Sequence, residues 1–366
     1  MDIVNKIMTR LSKEWFFLIA AAFAILTIII VGKNPVIFIG SDQIRVLWIL
    51  LIMMIINSGL KEKGVLDYWG IHLISRSQDI RKLSVLLLIL TAIFAPLVTN
   101  DVTLLVIVPL TISVAKRSDF DPMWLVILES VVANGMSSFT PFGNPQNIYI
   151  YTHYQSPAIE FMLYVGLFSA IALAIAIVTI FFVKNRPVSR VSRIVTLQKQ
   201  WWMYLLLLFL MIASILRFGD IFVIGGFILA YVMLSDRKLL FGIDYFLLGT
   251  FVAFFVLSGE ITSMTWLQNL PTFLNNGRNV FLTSALLSQI ISNVPSAIVI
   301  SAFTNLWKPL LLGVSVGGFG TLVGSLANII AFSIYKKDFK SNYMKYFHLY
   351  SIPLFFGTLA LFYFLV

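Results

Sequence analysis

Between the basic pairs Arg81-Lys82 and Lys116-Arg117 runs LSVLLLILTAIFAPLVTNDVTLLVIVPLTISVA, residues 83–115. Its 33 residues hold one strongly polar triplet, Thr99-Asn100-Asp101, at the midpoint. Two full membrane crossings need about 20 apolar residues each plus a turn. At about 1.5 Å per residue, each half of this stretch reaches only about 24 Å. Lys and Arg collect on the cytoplasmic side of membrane proteins, so both ends belong there. A hairpin that enters from the cytoplasm and returns satisfies length and charge together.

The rest of the chain fits a membrane. It is 59% hydrophobic and 11% charged, with mean hydropathy +0.94. Soluble domains are about 45–50% apolar and about 25% charged. Apolar spans fall at about 15–32, 43–60, 83–115, 121–153, 159–183, 200–216, 221–235, 243–258, 280–307, 309–335 and 347–366. The first, Trp15 to Val31, is long for a signal peptide and no small-x-small cleavage site follows. A net charge of +10 would suggest nucleic acid in a soluble protein. Here 21 of 26 Lys and Arg gather in stretches assigned to one face. They include Lys6, Arg10 and Lys13, then Arg76, and Arg190 and Arg193 of the central loop. This bias orients the chain with its N-terminus cytoplasmic and its C-terminus outside, in a cell (inner) membrane, without nucleic acid as a partner.

Tracing that orientation forward, segment 280–307 starts and ends outside. It too is short, and its middle reads Ser292-Asn293-Val294-Pro295-Ser296. The two hairpins therefore enter from opposite faces. Each is followed by a span interrupted by polar residues and glycines. The first interruption is Asn134-Gly135-Met136-Ser137-Ser138-Phe139-Thr140-Pro141-Phe142-Gly143-Asn144-Pro145-Gln146-Asn147. The second is Gly317-Gly318-Phe319-Gly320-Thr321-Leu322-Val323-Gly324-Ser325-Leu326-Ala327-Asn328. Both end in Gly-x-x-x-Asn, Gly143 to Asn147 and Gly324 to Asn328.

Interrupted segments at matching positions of two halves point to a transporter site. The expected fold is an all-α polytopic membrane protein. It has an inverted repeat with two opposed re-entrant helical hairpins and two broken helices, about nine full crossings in all. Residues 1–183 form the first repeat, with hairpin 83–115. Residues 184–199 form a basic cytoplasmic linker, and 200–366 the second repeat, with hairpin 280–307. Stretches 62–76 and 262–278 read as interfacial helices, carrying Tyr68, Trp69 and Trp266.

A broken helix frees backbone groups, which is tolerable at membrane depth only inside protein or beside a wet cavity. It also presents helix N-termini, which attract anions. Carbonyls and Asn side chains at the same break can hold a hard cation such as Na⁺. The alternative is that Gly and Asn there only permit close helix packing.

At these motifs the sequence resembles the ion transporter superfamily, which includes divalent-anion/sodium symporters, citrate transporters, arsenite permeases and NhaD-type sodium/proton antiporters. Thr99-Asn100-Asp101 and Ser292-Asn293-Val294 are similar to that superfamily's paired Ser-Asn-Thr hairpin motifs, and Gly143 to Asn147 to its Gly-Thr-Pro-x-Asn. Stretch 64–110 is most like the arsenite-permease branch. The resemblance implies an elevator-type carrier, often a homodimer, coupled to Na⁺ or H⁺. It implies one cation site at Asn100, Asp101, Gly143 and Asn147, and a mate at Asn293, Gly324 and Asn328. The chain departs from the pattern at Asp101, at Val294-Pro295 and at Leu326, where a proline is expected. These departures weigh against a two-sodium dicarboxylate site, at the second tip above all.

Ionisable groups at membrane depth are expensive, so they mark function. Asp101 is either a Na⁺ ligand, a proton carrier or a helix N-cap. Glu129 is either a proton relay or a group near the interface. Asp220 and Glu260 read as ordinary residues at outer helix ends. No Lys or Arg falls in the middle of a span. A small anion, a carboxylate or oxyanion, would then be held by helix N-termini, amides and hydroxyls: Thr99, Thr103, Ser137, Ser138, Thr140, Asn144, Pro145, Ser292, Ser296, Thr321 and Ser325. The chain lacks cysteine, so thiolate metal sites are excluded, and His72, His153 and His348 are scattered and read as plain surface. No cofactor is expected beyond the coupling ion. No nucleophile–base pair or phosphate loop suggests an enzyme. The rival readings are a Na⁺/H⁺ antiporter and an efflux permease for an arsenite-like metalloid.

Overall fold

The computed structural model describes residues 15–31, 39–74, 77, 79–188, 196–262, 264 and 267–366. Lys6, Arg10, Lys13, Arg76, Arg190, Arg193 and Trp266 lie outside the described residues.

The chain is all-helical among the described residues, apart from one bridge between Asp79 and Pro187. Its helices are α1 (Trp15–Val31), α2 (Ser41–Glu62), α3 (Val65–Ile74), α4 (Ile80–Val98), α5 (Asn100–Arg117), α6 (Met123–Ser137), α7 (Pro145–His153), α8 (Ala158–Ile180) and α9 (Trp201–Ile215). There follow α10 (Ile221–Ser235), α11 (Tyr245–Ile261), α12 (Leu270–Phe273), α13 (Gly277–Ile291), α14 (Asn293–Ser301), α15 (Trp307–Gly317), α16 (Leu326–Lys336) and α17 (Tyr343–Tyr363). Four of them, α2, α4, α8 and α17, have at least 18 residues and enough apolar character to cross a membrane.

The distribution of polarity is inverted relative to a soluble protein. Ile29, Leu163 and Leu234 are 73%, 75% and 90% exposed, while Asn100, Ser130, Asn134, Asn144, Asn147, Asn293 and Asn328 are buried. Hydrocarbon outside accepts the first group, and only partners inside can satisfy the second.

Segment 83–115 folds as two packed helices, α4 and α5, which meet at Thr99. Segment 280–307 does the same with α13 and α14 at Ser292. Span 121–153 is α6 and α7 with an irregular break between, and span 309–335 is α15 and α16. The first arm of each hairpin packs on the near half of the following broken helix, α4 on α6 and α13 on α15. The second arm packs on the far half of the other one, α5 on α16 and α14 on α7. This crossed arrangement brings both tips and both breaks to one place.

Basic residues hold the helix ends. Arg81 donates to the carbonyls of Val183 (3.2 Å) and Phe181 (2.9 Å), closing the end of α8 on the start of α4. Lys63 pairs with Asp236 at 2.9 Å, and Tyr204 donates to the same carboxylate. Burial works against ionisation of Asp236, but those two hydrogen bonds outweigh it and hold the carboxyl below the usual range.

Some of these readings hold and others change. Of stretch 262–278 only α12, four residues long, is a described helix before α13 begins at Gly277, because Pro271 and Asn276 permit little more. His72 is exposed, as expected, while His153 is half-buried and stacks on Tyr149 with ring centroids 5.3 Å apart. Glu260 is fully buried because α11 packs against α1 and α14 along its length. Asp220 caps α10, accepting from Phe222 and Val223 N–H at 2.9 Å.

Candidate functional site

The two tips share one backbone geometry. Thr99 has φ 71°, ψ 150°, and Ser292 φ 76°, ψ 157°. This region is nearly restricted to glycine, and a residue held there costs about 1–3 kcal/mol. The Asn100 N–H donates to Gly143 O (3.1 Å) and the Asn293 N–H to Gly324 O (3.0 Å). The glycines are required by the tight turn of each break. A Cβ on Gly143 would lie 2.1 Å from Ser137 O, and one on Gly324 2.7 Å from Gly317 O.

The breaks are also braced alike. The Asn147 amide donates to Ser138 O (2.9 Å) and Thr140 O (2.8 Å), and Asn328 to Gly318 O (3.0 Å) and Thr321 O (3.2 Å). Thr140 donates to Pro96 O (2.6 Å) and Thr321 to Gln289 O (3.1 Å), each three residues before a tip. Side chains thus replace the backbone partners that each break removes.

Four helix N-termini converge here: α5 at Asn100, α7 at Pro145, α14 at Asn293 and α16 at Leu326. Between them, closed by Phe251 and Phe254 of α11, lies a cavity of about 30 Å³. Asn100, Asp101, Pro145, Ser292, Asn293 and Ser325 line it. It has room for about one water or ion. A second cavity of about 250 Å³ adjoins it, lined by Asn57, Lys61, Thr99, Asp101 and Asp244. Asp101 alone brings a carboxylate to both. The Asn100 N–H goes to Gly143 O and the Asp101 N–H to the Asn100 side chain (3.0 Å).

The predicted hydroxyls point elsewhere. Ser137 and Ser138 donate to Asn134 O, Thr103 to Thr99 O and Ser296 to Ser284 O. Ser137, Ser138, Thr140 and Thr321 bond carbonyls in the last turns of the helices that end at tips and breaks, Thr103 and Ser296 bond carbonyls elsewhere in their own hairpins, and none of the six lines the small cavity. Asn144 caps α7 through Asn147 N–H (2.9 Å). Gly143, Asn147, Gly324 and Asn328 form the layer behind the cavity.

The halves differ in one acceptor. Asn147 Oδ1 is buried and without a partner among the described residues. Asn328 Oδ1 accepts from Ser130 (2.7 Å) and Asn134 (2.8 Å). Asn134 is the central tie, since its own oxygen accepts from Asn100 (3.2 Å) and Ser325 (2.8 Å). Sequence reasoning passed over Asn134, Ser130, Gln289, Asn57 and Asp244. The partners of Asn134, Ser130, Gln289 and Asn57 are far away in sequence, and Asp244 reaches the larger cavity only through the packing of α11.

The sequence profile of the citrate transporter family CitMHS matches residues 3–306, which covers both hairpins and the first broken helix. An uncharacterized transporter of Methanocaldococcus jannaschii is 30% identical over 321 residues, 86% of this chain and 88% of that protein. The inner membrane protein YbiR of Escherichia coli is 30% identical over 318 residues, 82% of each chain. The silicon efflux transporter LSI3 of Oryza sativa is 30% identical over 124 residues, 34% of this chain and 26% of its own. The matched family and two of these relatives are named as transporters, none as an enzyme, and with the motifs at both tips and the buried polar centre of an apolar bundle, the chain belongs to the citrate transporter family.

Proposed function

We propose that the protein is a secondary transporter of the cell (inner) membrane that carries a small carboxylate or oxyanion together with one cation or proton. The observation that carries this reading is the unequal pair of breaks. Four helix N-termini favour an anion. Asp101 and the unpartnered Asn147 Oδ1 favour a cation beside it, at the first half only. A carboxylate next to an anion site repels the anion unless a cation or proton neutralises it.

On this reading residues 1–183 and 200–366 are inverted repeats joined by the basic linker 184–199. The hairpins are re-entrant from opposite faces, with the N-terminus cytoplasmic and the C-terminus outside. The 250 Å³ cavity beside Lys61 and Asp244 is the cytoplasmic approach. A polycarboxylate does not fit a 30 Å³ cavity, so the hairpins must part from α11 during transport, as an elevator-type motion would require.

A second reading is favoured by one observation. The small cavity is lined by a carboxylate and by no Lys or Arg. A neutral hydroxide such as silicic or arsenous acid needs no cationic clamp, and LSI3 is named for silicon efflux.

The test uses protein reconstituted in liposomes. Radiolabelled citrate, other carboxylates and oxyanions are offered under imposed Na⁺ or H⁺ gradients, with silicic acid and arsenite as the neutral arm. Gradient-driven anion accumulation is expected. Movement of the neutral acids alone establishes the second reading. Na⁺/H⁺ exchange without any solute uptake refutes both.

A further inference from the structure

The stretch that follows α8 is stitched onto the start of α4. Beside the two carbonyls that the Arg81 side chain takes, the Arg81 N–H donates to Asn185 Oδ1 (3.1 Å). The Ile80 N–H donates to Arg186 O (2.9 Å), and Asp79 bridges to Pro187. Alternate residues of an extended chain share a face. Asn185 faces α4, while Lys184 and Arg186, on either side of it, both line a neighbouring groove of about 680 Å³. The two cations are therefore held in place by backbone bonds and do not hang on a free linker.

The groove runs between the start of α4, the start of α6, the end of α8 and Tyr350 of α17. Its wall is apolar where Ile80, Leu125, Ile180 and Phe182 form it. Trp124 and Tyr350 meet in it edge to face, with ring centroids 6.3 Å apart, and the Tyr350 hydroxyl lies 3.0 Å from that of Thr179. Ser84, one turn into α4, also lines the groove. Its hydroxyl is buried and has no hydrogen-bond partner among the described residues.

Neither Lys184 nor Arg186 has a carboxylate partner among the described residues. The acid that lines the groove, Asp121, already accepts from the Met123 N–H (2.9 Å), the Tyr335 hydroxyl (2.7 Å) and the Ser341 hydroxyl. Glu129, further along α6, is completely buried, accepts from the Thr111 hydroxyl at 2.5 Å and does not reach the groove. Two cations against one committed carboxylate leave the groove net positive. A positive rim over an apolar and aromatic wall, at the ends of membrane helices, fits a phospholipid with an anionic head group. A free anion would use the rim and leave the wall empty.

We propose that this groove is a binding site for an anionic phospholipid, with the phosphate on Lys184 and Arg186 and the acyl chains along Ile180, Phe182 and Trp124. The Ser84 hydroxyl is left for an ester oxygen of the same lipid. The site is separate from the hairpin tips and breaks. Its test needs no transported solute, so it stands or falls apart from the proposed function.

The full chain is reconstituted in phosphatidylcholine vesicles that carry a minor fraction of brominated phosphatidylglycerol or brominated phosphatidylcholine. Bromine on an acyl chain quenches tryptophan on contact, and the Trp124 share is the difference between the unaltered protein and Trp124→Phe. The anionic lipid should quench Trp124 half-maximally at about fivefold lower mole fraction, the preference that one Lys or Arg near the surface confers. The double variant Lys184→Gln/Arg186→Gln should bring the two lipids together. Equal quenching by both lipids in the unaltered protein means ordinary bilayer contact and overturns the proposal. A preference that survives in the double variant overturns it as well. Soluble glycerol phosphate at millimolar concentration should leave the quenching in place, and relief of quenching would make this a free-anion site and end the lipid assignment. If Trp124→Phe does not fold, total tryptophan quenching is compared between the unaltered protein and the double variant, and an unchanged difference between the lipids refutes the site.

Discussion

The first and second hairpin tips have the same backbone and different chemistry. Both hold a non-glycine residue at positive φ, anchor an Asn N–H on a glycine carbonyl and brace the break with an Asn amide. Beyond the backbone they part. The first tip continues into Asp101, with an unpartnered acceptor behind it at Asn147. The second continues into Val294-Pro295, and the acceptor behind it, Asn328, is filled by Ser130 and Asn134. The demands of a broken helix in a membrane are the same in either half, so the hydrogen-bonded frame repeats. On the proposed function coupling chemistry is needed only once, and the acceptor of the second half is filled by protein donors.

The most direct way to break this comparison is to exchange charge at the tips. Asp101→Asn should reduce gradient-driven uptake roughly tenfold or more, since an interaction with a charged group contributes about 1.5–3 kcal/mol. Val294→Thr, which restores a hydroxyl at the second tip, should leave uptake within about twofold, well under the factor of ten that 1.4 kcal/mol represents. Equal losses in flux assays of the two variants would make the tips functionally equivalent.

The glycines sharpen the shared part. Gly143→Ala forces a Cβ to within 2.1 Å of a backbone carbonyl, and Gly324→Ala to within 2.7 Å. Overpacking of this kind costs about 1–3 kcal/mol, occasionally more. Both should lower the thermal midpoint in detergent, with Gly143→Ala the worse. A neutral Gly143→Ala would mean that the turn of the first break is not rigid.

Much of this was legible in the sequence because polar residues inside apolar runs have few explanations. Thr99-Asn100-Asp101, Ser292-Asn293 and both Gly-x-x-x-Asn stretches stood out on that ground, and the helix ends followed from length and charge. What stayed hidden depends on rotation and packing. Depth along α6 located Glu129 but not which way it faces. Asn134 looked like one small polar residue among several, since its partner Asn328 is 194 positions away. The hydroxyls of Ser137, Ser138, Thr140 and Thr321 were expected to meet a ligand. They serve the free carbonyls instead, a need that any break creates and that reading the motif by side-chain type alone does not count.

Asn134 is where the asymmetry can be partly undone. Its counterpart in the second half is Ser315, which bonds only to Leu311 O of its own helix. Asn134→Ser removes one of two donors from Asn328 Oδ1 and leaves Asn100 and Ser325 short of an acceptor. Each buried group left unsatisfied costs about 1–3 kcal/mol. Stability measured by thermal unfolding should fall by about that much. If the filled acceptor is what silences the second break, uptake should gain a second, weaker dependence on Na⁺. A stability loss with unchanged ion dependence would assign Asn134 to packing alone.

The smallest effect belongs to the tip backbones, where the two halves should respond alike. Thr99→Gly and Ser292→Gly each relieve the positive-φ strain of about 1–3 kcal/mol. Against this stands the added freedom of glycine in the unfolded chain, about 0.5–1 kcal/mol. The Thr103 N–H and hydroxyl bonds to Thr99 O involve backbone that glycine keeps, and so does the Ser296 N–H bond to Ser292 O. The net change should therefore be a gain of about 0–2.5 kcal/mol, of the same sign at both positions. Thermal unfolding of the two variants side by side measures it. A gain at one tip and a loss at the other would mean that the shared φ and ψ rest on different forces, and the frame would then be as unequal as the chemistry it carries.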